Sequence, residues 1–423
     1  MAVQETKSRY DLPSPVYRWV VLVFLSLAMF GNYYVYDSIS PLADILKKQL
    51  GFSDRNIGLL NMIYSLPNIF FVLIGGIIID TLGTRKSAII FSLTCMLGSF
   101  ITTFSGGNLT VMATGRLIFG LGAETLIVTI TTILAKWFKG KELSFAFGLN
   151  LTIARLGSFA ALNSPTWAKS LYWSWKGPLL ISAGAATLSV LTLILYVIIE
   201  AGAQKRFSLG PEPRQDKIVL SDILSFGKAY WFITILCVTF YSAIFPFQTF
   251  AIKFFIEHHG LTRQSAGFAS SVITLAAMIG TPLFGLFVDK YGKRASVMII
   301  GSLLIVPVYI LFVYSRIHPI FLTSIMGIAF SLVPAAMWPS VALIVKQENL
   351  GTAYGLMTMI QNIGLTLFNY IIGWANDIST INGVTDYRLG MWIFSITGIV
   401  GLIFAILLRK ERVGRELLEK SHM

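Results

Sequence analysis

The chain has 423 residues, of which 55% are hydrophobic and only 13% charged, with a formal net charge of +13. A soluble globular domain carries about 25% charged residues, so the composition excludes an ordinary water-soluble fold and places the chain in a bilayer. The basic excess does not point to nucleic acid: the 33 Lys and Arg are spread over short loops between apolar segments, a distribution that sets membrane topology.

Crossing a hydrocarbon core of about 30 Å takes about 20 mostly apolar residues. Twelve segments meet that requirement in chain order: 18–41, 56–82, 86–106, 109–136, 141–165 and 177–199, then 229–256, 264–290, 294–315, 318–345, 350–376 and 388–409. The longest polar interruption, Ala201 to Lys228, carries Pro211, Glu212, Pro213, Arg214, Gln215 and Asp216 and falls near the middle. It reads as a cytoplasmic linker between an N-terminal six-helix bundle (1–200) and a C-terminal one (229–423). Basic residues crowd the loops on the side of the two termini, which are therefore expected in the cytoplasm. The polar run Met1 to Ser14 followed by a full-length apolar stretch is not a cleavable signal pattern. Cys95 and Cys237 both fall in spans and support neither a disulfide framework nor a metal site.

The two halves repeat. Gly76-Ile-Ile-Ile-Asp80-Thr-Leu-Gly83-Thr-Arg85 after the second span matches Gly285-Leu-Phe-Val-Asp289-Lys-Tyr-Gly292-Lys-Arg294 after the eighth, 209 residues on. Ala146-Phe-Gly-Leu149 with Gly157 matches Ala353-Tyr-Gly-Leu356 with Gly364, 207 residues on. Each pair holds the same ordinal place in its half, so the repeats are parallel, an architecture in which substrate binds near the midplane and access alternates by rocking of one half against the other.

The doubled G-x-x-x-D-x-x-G-x-R spacing resembles the loop signature of the major facilitator superfamily, which implies an all-α membrane fold of twelve transmembrane helices in two six-helix halves. Gly76 and Gly285 are expected to let helices approach closely, Asp80 and Asp289 to pair with Arg85 or Arg294 or with a helix terminus, and Gly83 and Gly292 to turn the loop, together forming a cytoplasmic latch or a purely structural turn. Within the superfamily, the chain is similar to the lysosomal dipeptide transporters at Gly31-Asn-Tyr-Tyr-Val-Tyr36-Asp37, Gly115-Arg116 through Glu124, Trp137 through Gly157, and Trp338-Pro339 with Leu350 through Gly364. That resemblance implies facilitated passage of dipeptides, with substrate recognised by an acidic group on the fourth helix and an Arg on the fifth, positions matched by Glu124 and Arg155. No acidic dileucine sorting signal stands in either terminus, and Asn108-Leu-Thr110 is the one glycosylation sequon in an expected outer loop, so a bacterial inner membrane is the preferred location, a lysosomal one if the source is eukaryotic. An accessory subunit is neither required nor excluded.

Ionisable groups well inside spans are costly, and each is a functional candidate. Glu124 and Arg155 lie near the centres of the fourth and fifth spans. A dipeptide is a zwitterion: Glu124 suits its ammonium, and the planar fork of Arg155 suits two-point contact with its carboxylate. The alternative is that the two neutralise each other, or that Glu124 pairs with Arg116, from which eight residues of helix separate it by about 12 Å. Arg116 suits substrate contact or a structural or gating role equally. Tyr33, Tyr34, Tyr36 and Asp37 cluster on the first span, where at least one Tyr fits an interfacial belt; Tyr36 and Asp37 are kept as candidates for ligand contact or an outer gate. From the second half, Gln248, Lys253, Trp338, Gln361 and Asn362 are polar or aromatic in apolar surroundings, and Asn362 aligns with Arg155 in the repeat.

No phosphate-binding loop and no nucleophile–base constellation occurs, and the four histidines, His258, His259, His318 and His422, fall at loop ends or in the tail, so nucleotide hydrolysis, a metal site, a cofactor and an enzyme are not expected. The partners called for are a small-molecule substrate and the lipid bilayer. The readings in competition are a dipeptide uniporter, a proton-coupled symporter of amino acids or small organic anions, and a ligand-binding nutrient sensor.

Overall fold

The computed structural model describes residues 15–138, 142–204, 226–346 and 349–419. The first half comprises α1 (Pro15–Asp37), the short α2 (Ala43–Leu50), α3 (Asp54–Leu82), α4 (Thr84–Thr103), α5 (Leu109–Phe138), α6 (Leu143–Leu162), the single-turn α7 (Ser164–Trp167) and α8 (Lys176–Gln204). The second comprises α9 (Lys228–Glu257), α10 (Arg263–Tyr291), α11 (Arg294–Tyr314), α12 (Pro319–Ile344), α13 (Leu350–Ile378), a two-strand hairpin (Thr380–Ile381 with Val384–Thr385), α14 (Arg388–Lys410) and the terminal α15 (Arg412–Leu418). Among the described residues, eleven helical segments are long and apolar enough to cross a bilayer. The 29-residue α3, charged only at Asp54, Arg55 and Asp80, completes the expected twelve.

Local chemistry sets the ends. The first span stops at Asp37 and not at residue 41, because Pro41 has no N–H to give the Asp37 carbonyl; a 3₁₀ turn (Ser40–Leu42) leads instead into α2, which Gly51 ends with φ +69°. The fifth starts at Leu143, since Glu142 before it has φ +47°. α8 runs to Gln204, and residues 205–225, most of the expected linker, lie outside the described residues. The internal repeat extends to the caps: Ser53 accepts a hydrogen bond from the Asn56 N–H to start α3, and Thr262, 209 residues on, accepts one from Ser265 to start α10. Gly83 and Gly292 close these two helices at φ +78° and +66°, a region where a side chain would be strained. Gly285 does not serve close helix approach, because a Cβ built on it meets nothing within 4 Å.

One apolar core holds the first half together, with Leu25, Phe119, Leu126, Ile130 and Leu193 fully buried. The second half's core, around Phe247, Phe254, Tyr309 and Phe312, runs on into the first half through Leu42, Leu46, Ile57, Leu60, Met112 and Leu162, all toward the end where α1 stops. Backbones touch there across the halves: a Cβ on Gly58 would lie 2.2 Å from the Asn369 carbonyl oxygen, and one on Gly373 2.4 Å from that of Asp54. Polar contacts follow the same line. The fork of Arg263 on α10 grips both oxygens of Asp44 on α2, and Asp377 of α13 accepts from the Asp54 and Arg55 N–H groups at 2.8 and 2.9 Å, capping α3 across the interface. This end of the bundle is closed.

Candidate functional site

Between the halves lies a cavity of about 280 Å³. Its first-half wall is built from Asn32, Tyr33, Tyr36 and Asp37 of α1, Tyr64 of α3, Glu124 and Ile127 of α5, and Arg155 and Ser158 of α6. The second-half wall is Tyr241, Phe245 and Gln248 of α9, Thr274 of α10, Phe330 and Trp338 of α12, and Thr358, Gln361, Asn362 and Leu365 of α13. Every ionisable carboxylate and guanidinium in the lining belongs to the first half, whereas the second supplies aromatic rings, amides and hydroxyls.

Glu124 and Arg155 are lightly tied. Glu124 accepts a long hydrogen bond, 3.4 Å, from the Tyr64 hydroxyl. Tyr64 is held in turn by stacking on Phe119 at 5.4 Å and by edge contact with Tyr36 at 4.8 Å. The Arg155 guanidinium lies over the Phe330 ring, 5.2 Å from its centroid. In the second wall, the Trp338 indole N–H donates to the Tyr241 hydroxyl at 3.0 Å, Gln248 donates to Thr274 at 3.3 Å, and Asn362 donates to the Thr358 carbonyl at 3.0 Å. The buried Cys237 thiol donates to the Gln361 amide oxygen at 3.6 Å, which turns the Gln361 amino group away from it.

Of the ten residues the sequence put forward for substrate contact, eight line this cavity: Glu124, Arg155, Tyr36, Asp37, Gln248, Trp338, Gln361 and Asn362. Arg116 and Lys253 do not. Arg116 is 1% exposed, and its fork is consumed by the carbonyls of Leu60, Val35 and Tyr36 and by the Asn61 amide oxygen, at 3.0–3.3 Å. Two of those carbonyls, of Val35 and Tyr36, belong to the last turn of α1, so Arg116 stitches the broken helix to α3 and α5. It does not pair with Glu124. Lys253 stands five residues beyond Gln248, about 140° further round the helix, and turns to the closed end, where Asp54 takes it at 2.7 and 2.6 Å and Glu257 at 3.5 Å. Of the four residues clustered on α1, Tyr34 points away from the cavity and packs near Trp167.

The doubled loop motif is divided in its contacts. Arg294 pairs with Asp289 at 2.7 Å as expected, but Arg85 bonds Glu200 of α8 at 3.1 Å, alongside Lys136 at 2.9 Å and the Tyr196 hydroxyl at 2.5 Å. The side-chain placements at Gly76 and Asp80 lie outside the described residues.

The residues missed from sequence were within reach of helical spacing. Gln361 and Asn362 share a face with Thr358 and Leu365, at i, i+3, i+4 and i+7, and Gln248 shares one with Phe245 and Tyr241; all of them line the cavity. Tyr64 gave a weaker signal, a single phenol between Asn61 and Asn68 on α3.

The chain matches the family model described as Major Facilitator Superfamily over residues 25–252 and again over 247–422. It is 32% identical to the lysosomal dipeptide transporter MFSD1 of Danio rerio over 377 residues, covering 86% of this chain and 81% of that protein. With the same transporter of Bos taurus the identity is 34% over 373 residues, 84% and 79% of the two chains. Among solved structures, a bacterial homologue of the human lysosomal transporter Spinster, inward-facing and unoccupied, superposes with a TM-score of 0.74 at 16% identity, covering 97% of this chain and all of that one.

Proposed function

Since this chain belongs to the major facilitator superfamily and is a multi-pass membrane transporter, we propose that it carries dipeptides through the central cavity by alternating access, as a facilitated uniport. The observation that carries the reading is one cavity offering a carboxylate, Glu124, and a guanidinium, Arg155, from adjacent helices, facing a second wall without charge. Glu124 takes the peptide ammonium and Arg155 the carboxylate, while the aromatic and amide groups opposite accept varied side chains. The similarity to lysosomal dipeptide transporters supports the substrate class. In this reading both termini are cytoplasmic and the membrane is the bacterial inner membrane.

The test is thermal stability of the purified protein against dipeptides, single amino acids, sugars and organic anions, because a ligand that binds only the folded state raises its melting temperature. Many unblocked dipeptides are expected to stabilise, and a block at either terminus to cut the stabilisation markedly, leaving the weaker hold of the one remaining charge. Glu124→Gln and Arg155→Lys should each weaken binding by about tenfold or more, the loss of one charge-assisted contact; normal binding by both variants sinks the zwitterion clamp.

A second reading has its own observation. Asp37 gives the cavity a second carboxylate against the one guanidinium, a group on which a coupling proton could ride. Proton-coupled symport predicts that an imposed pH gradient drives accumulation above equilibrium in vesicles, whereas uniport predicts equilibration alone.

A further inference from the structure

Arg155 reaches the cavity on a long flexible side chain, and a fork that wanders captures a carboxylate poorly, because each binding event must first fix its rotamers. Among the described residues its guanidinium makes no hydrogen bond or ion pair. The contact described for it is aromatic: its central carbon stands 5.2 Å from the centroid of Phe330. Phe330 belongs to α12, in the opposite half, and is 4% exposed. Its ring is fixed edge-on by two others, Tyr241 at 6.0 Å and 85° and Phe245 at 5.6 Å and 88°, which stack on each other at 5.6 Å. Arg155 therefore rests against a buried ring packed edge-on against two others, which leaves its N–H groups for a ligand in the cavity.

We propose that Phe330 is the positioning residue for Arg155: across the interface between the halves, its ring holds the guanidinium by a cation–π contact and so pre-orients the fork for a substrate carboxylate. This rests on the clamp described above and adds a residue that touches neither terminus of the peptide. A ring attracts the cation through its quadrupole, which an aliphatic side chain of similar bulk lacks. Pre-orientation lowers the entropy lost on capture. Because Phe330 and Arg155 sit on different halves, the arrangement exists only while these two walls face each other.

The experiment measures equilibrium binding to the purified full chain, in parent, Phe330→Leu and Phe330→Tyr forms, of three probes: alanyl-alanine, its C-terminal amide, and N-acetylalanine, a carboxylate without an ammonium. Phe330→Leu is expected to weaken alanyl-alanine and N-acetylalanine about tenfold, the scale of a desolvated cation–π contact, and to leave the amide at its parental level. Phe330→Tyr, which keeps the ring face, should stay within about twofold of the parent for all three. Equal weakening of the amide by Phe330→Leu would mean a general packing defect and would overturn the proposal, as would unchanged carboxylate binding. Should no dipeptide bind the parent, the dipeptide reading falls, and N-acetylalanine still decides the role of Phe330.

Discussion

At the end of the bundle where α1 stops, buried charge joins one half to the other. Lys253 of α9 and Asp54 of α3 pair with side chains 0% and 1% exposed, and Arg263 of α10 grips Asp44 of α2. At the opposite end, the described pairs stay inside a half: Glu200 with Lys136 and Arg85 in the first, Asp289 with Arg294 in the second. Burying a pair costs the desolvation of both ions, which their attraction barely repays, so such pairs do more to specify an arrangement than to stabilise a fold. The two ends specify different things. Pairs across the halves specify the closed arrangement of one end; pairs within a half keep that half a single body and place no condition on its partner. The alternating access proposed above needs both kinds.

The largest effect is expected from breaking a cross-half pair on one side. Lys253→Met leaves Asp54 buried without its cation and should destabilise the closed form by about 3–5 kcal/mol. Because the closed end can relieve the stranded carboxylate by opening, a cysteine placed at Ile57, a fully buried position, should react faster with a membrane-impermeant thiol reagent in a background lacking Cys95 and Cys237. Adding Asp54→Asn should restore slow labelling. If labelling stays slow in Lys253→Met, that pair does not hold the end shut.

Glu200→Gln sharpens the contrast. It removes the carboxylate from Lys136, Arg85 and Tyr196 within one half, so a loss of about 3 kcal/mol is expected in the melting behaviour. Labelling at Ile57→Cys should not change, and a rise there would show that the two ends are coupled. A smaller cross-half effect is expected from Thr249→Val. Thr249 of α9 accepts from the Asn61 amide of α3 at 3.3 Å and donates to Asn369 of α13 at 2.9 Å, and Asn61 also accepts from Arg116. Removing the hydroxyl strands two buried amides at about 1–3 kcal/mol; moderately faster labelling in Thr249→Val, reversed in Thr249→Ser, is the expected result.

The contrast between the ends was the part of the molecule least legible from sequence. Hydropathy and span length carry the twelve helices, and the doubled motif carries the two-half fold, because each is a local pattern that recurs. Glu124 and Arg155 stood out because a charge in an apolar run has few innocent explanations. The same rule misplaced Lys253 and Arg116: it detects a buried charge but not which way the helix turns it, and both charges have partners on helices distant in sequence, Asp54 and Asn61 on α3. Phe330 gave no signal at all, since a phenylalanine in an apolar helix is ordinary and its meaning comes only from Arg155 across the cavity. The Glu200 cluster escaped for a related reason: local spacing offers Arg85 the Asp of its own motif and says nothing of Glu200, which folding brings to it from α8.

The smallest expected effect concerns the closed end's rim, where His258 and His259 follow the last turn of α9. Burial, reinforced by neighbouring His258, pushes His259 down to about 4, from a usual value of about 6.5. Its Nε2 is buried without a hydrogen-bond partner and its ring meets Phe254 edge-on at 5.2 Å, an environment that favours the neutral imidazole. Above about pH 6.5 neither folded nor unfolded chain holds a proton there, and this group places no pH dependence on stability. As pH falls from about 6.5 toward 4, the unfolded chain binds a proton that the folded one refuses, and stability declines; below about 4 both bind it and the decline stops. The residue is only partly buried, and solvent screens the effect, so a drop of roughly 2–4 °C in melting temperature is expected across the window. His259→Phe should flatten that part of the profile relative to the parent while leaving Ile57→Cys labelling at pH 7 unchanged. A parent and variant that fall in parallel between pH 6.5 and 4 would remove His259 from the account of this end.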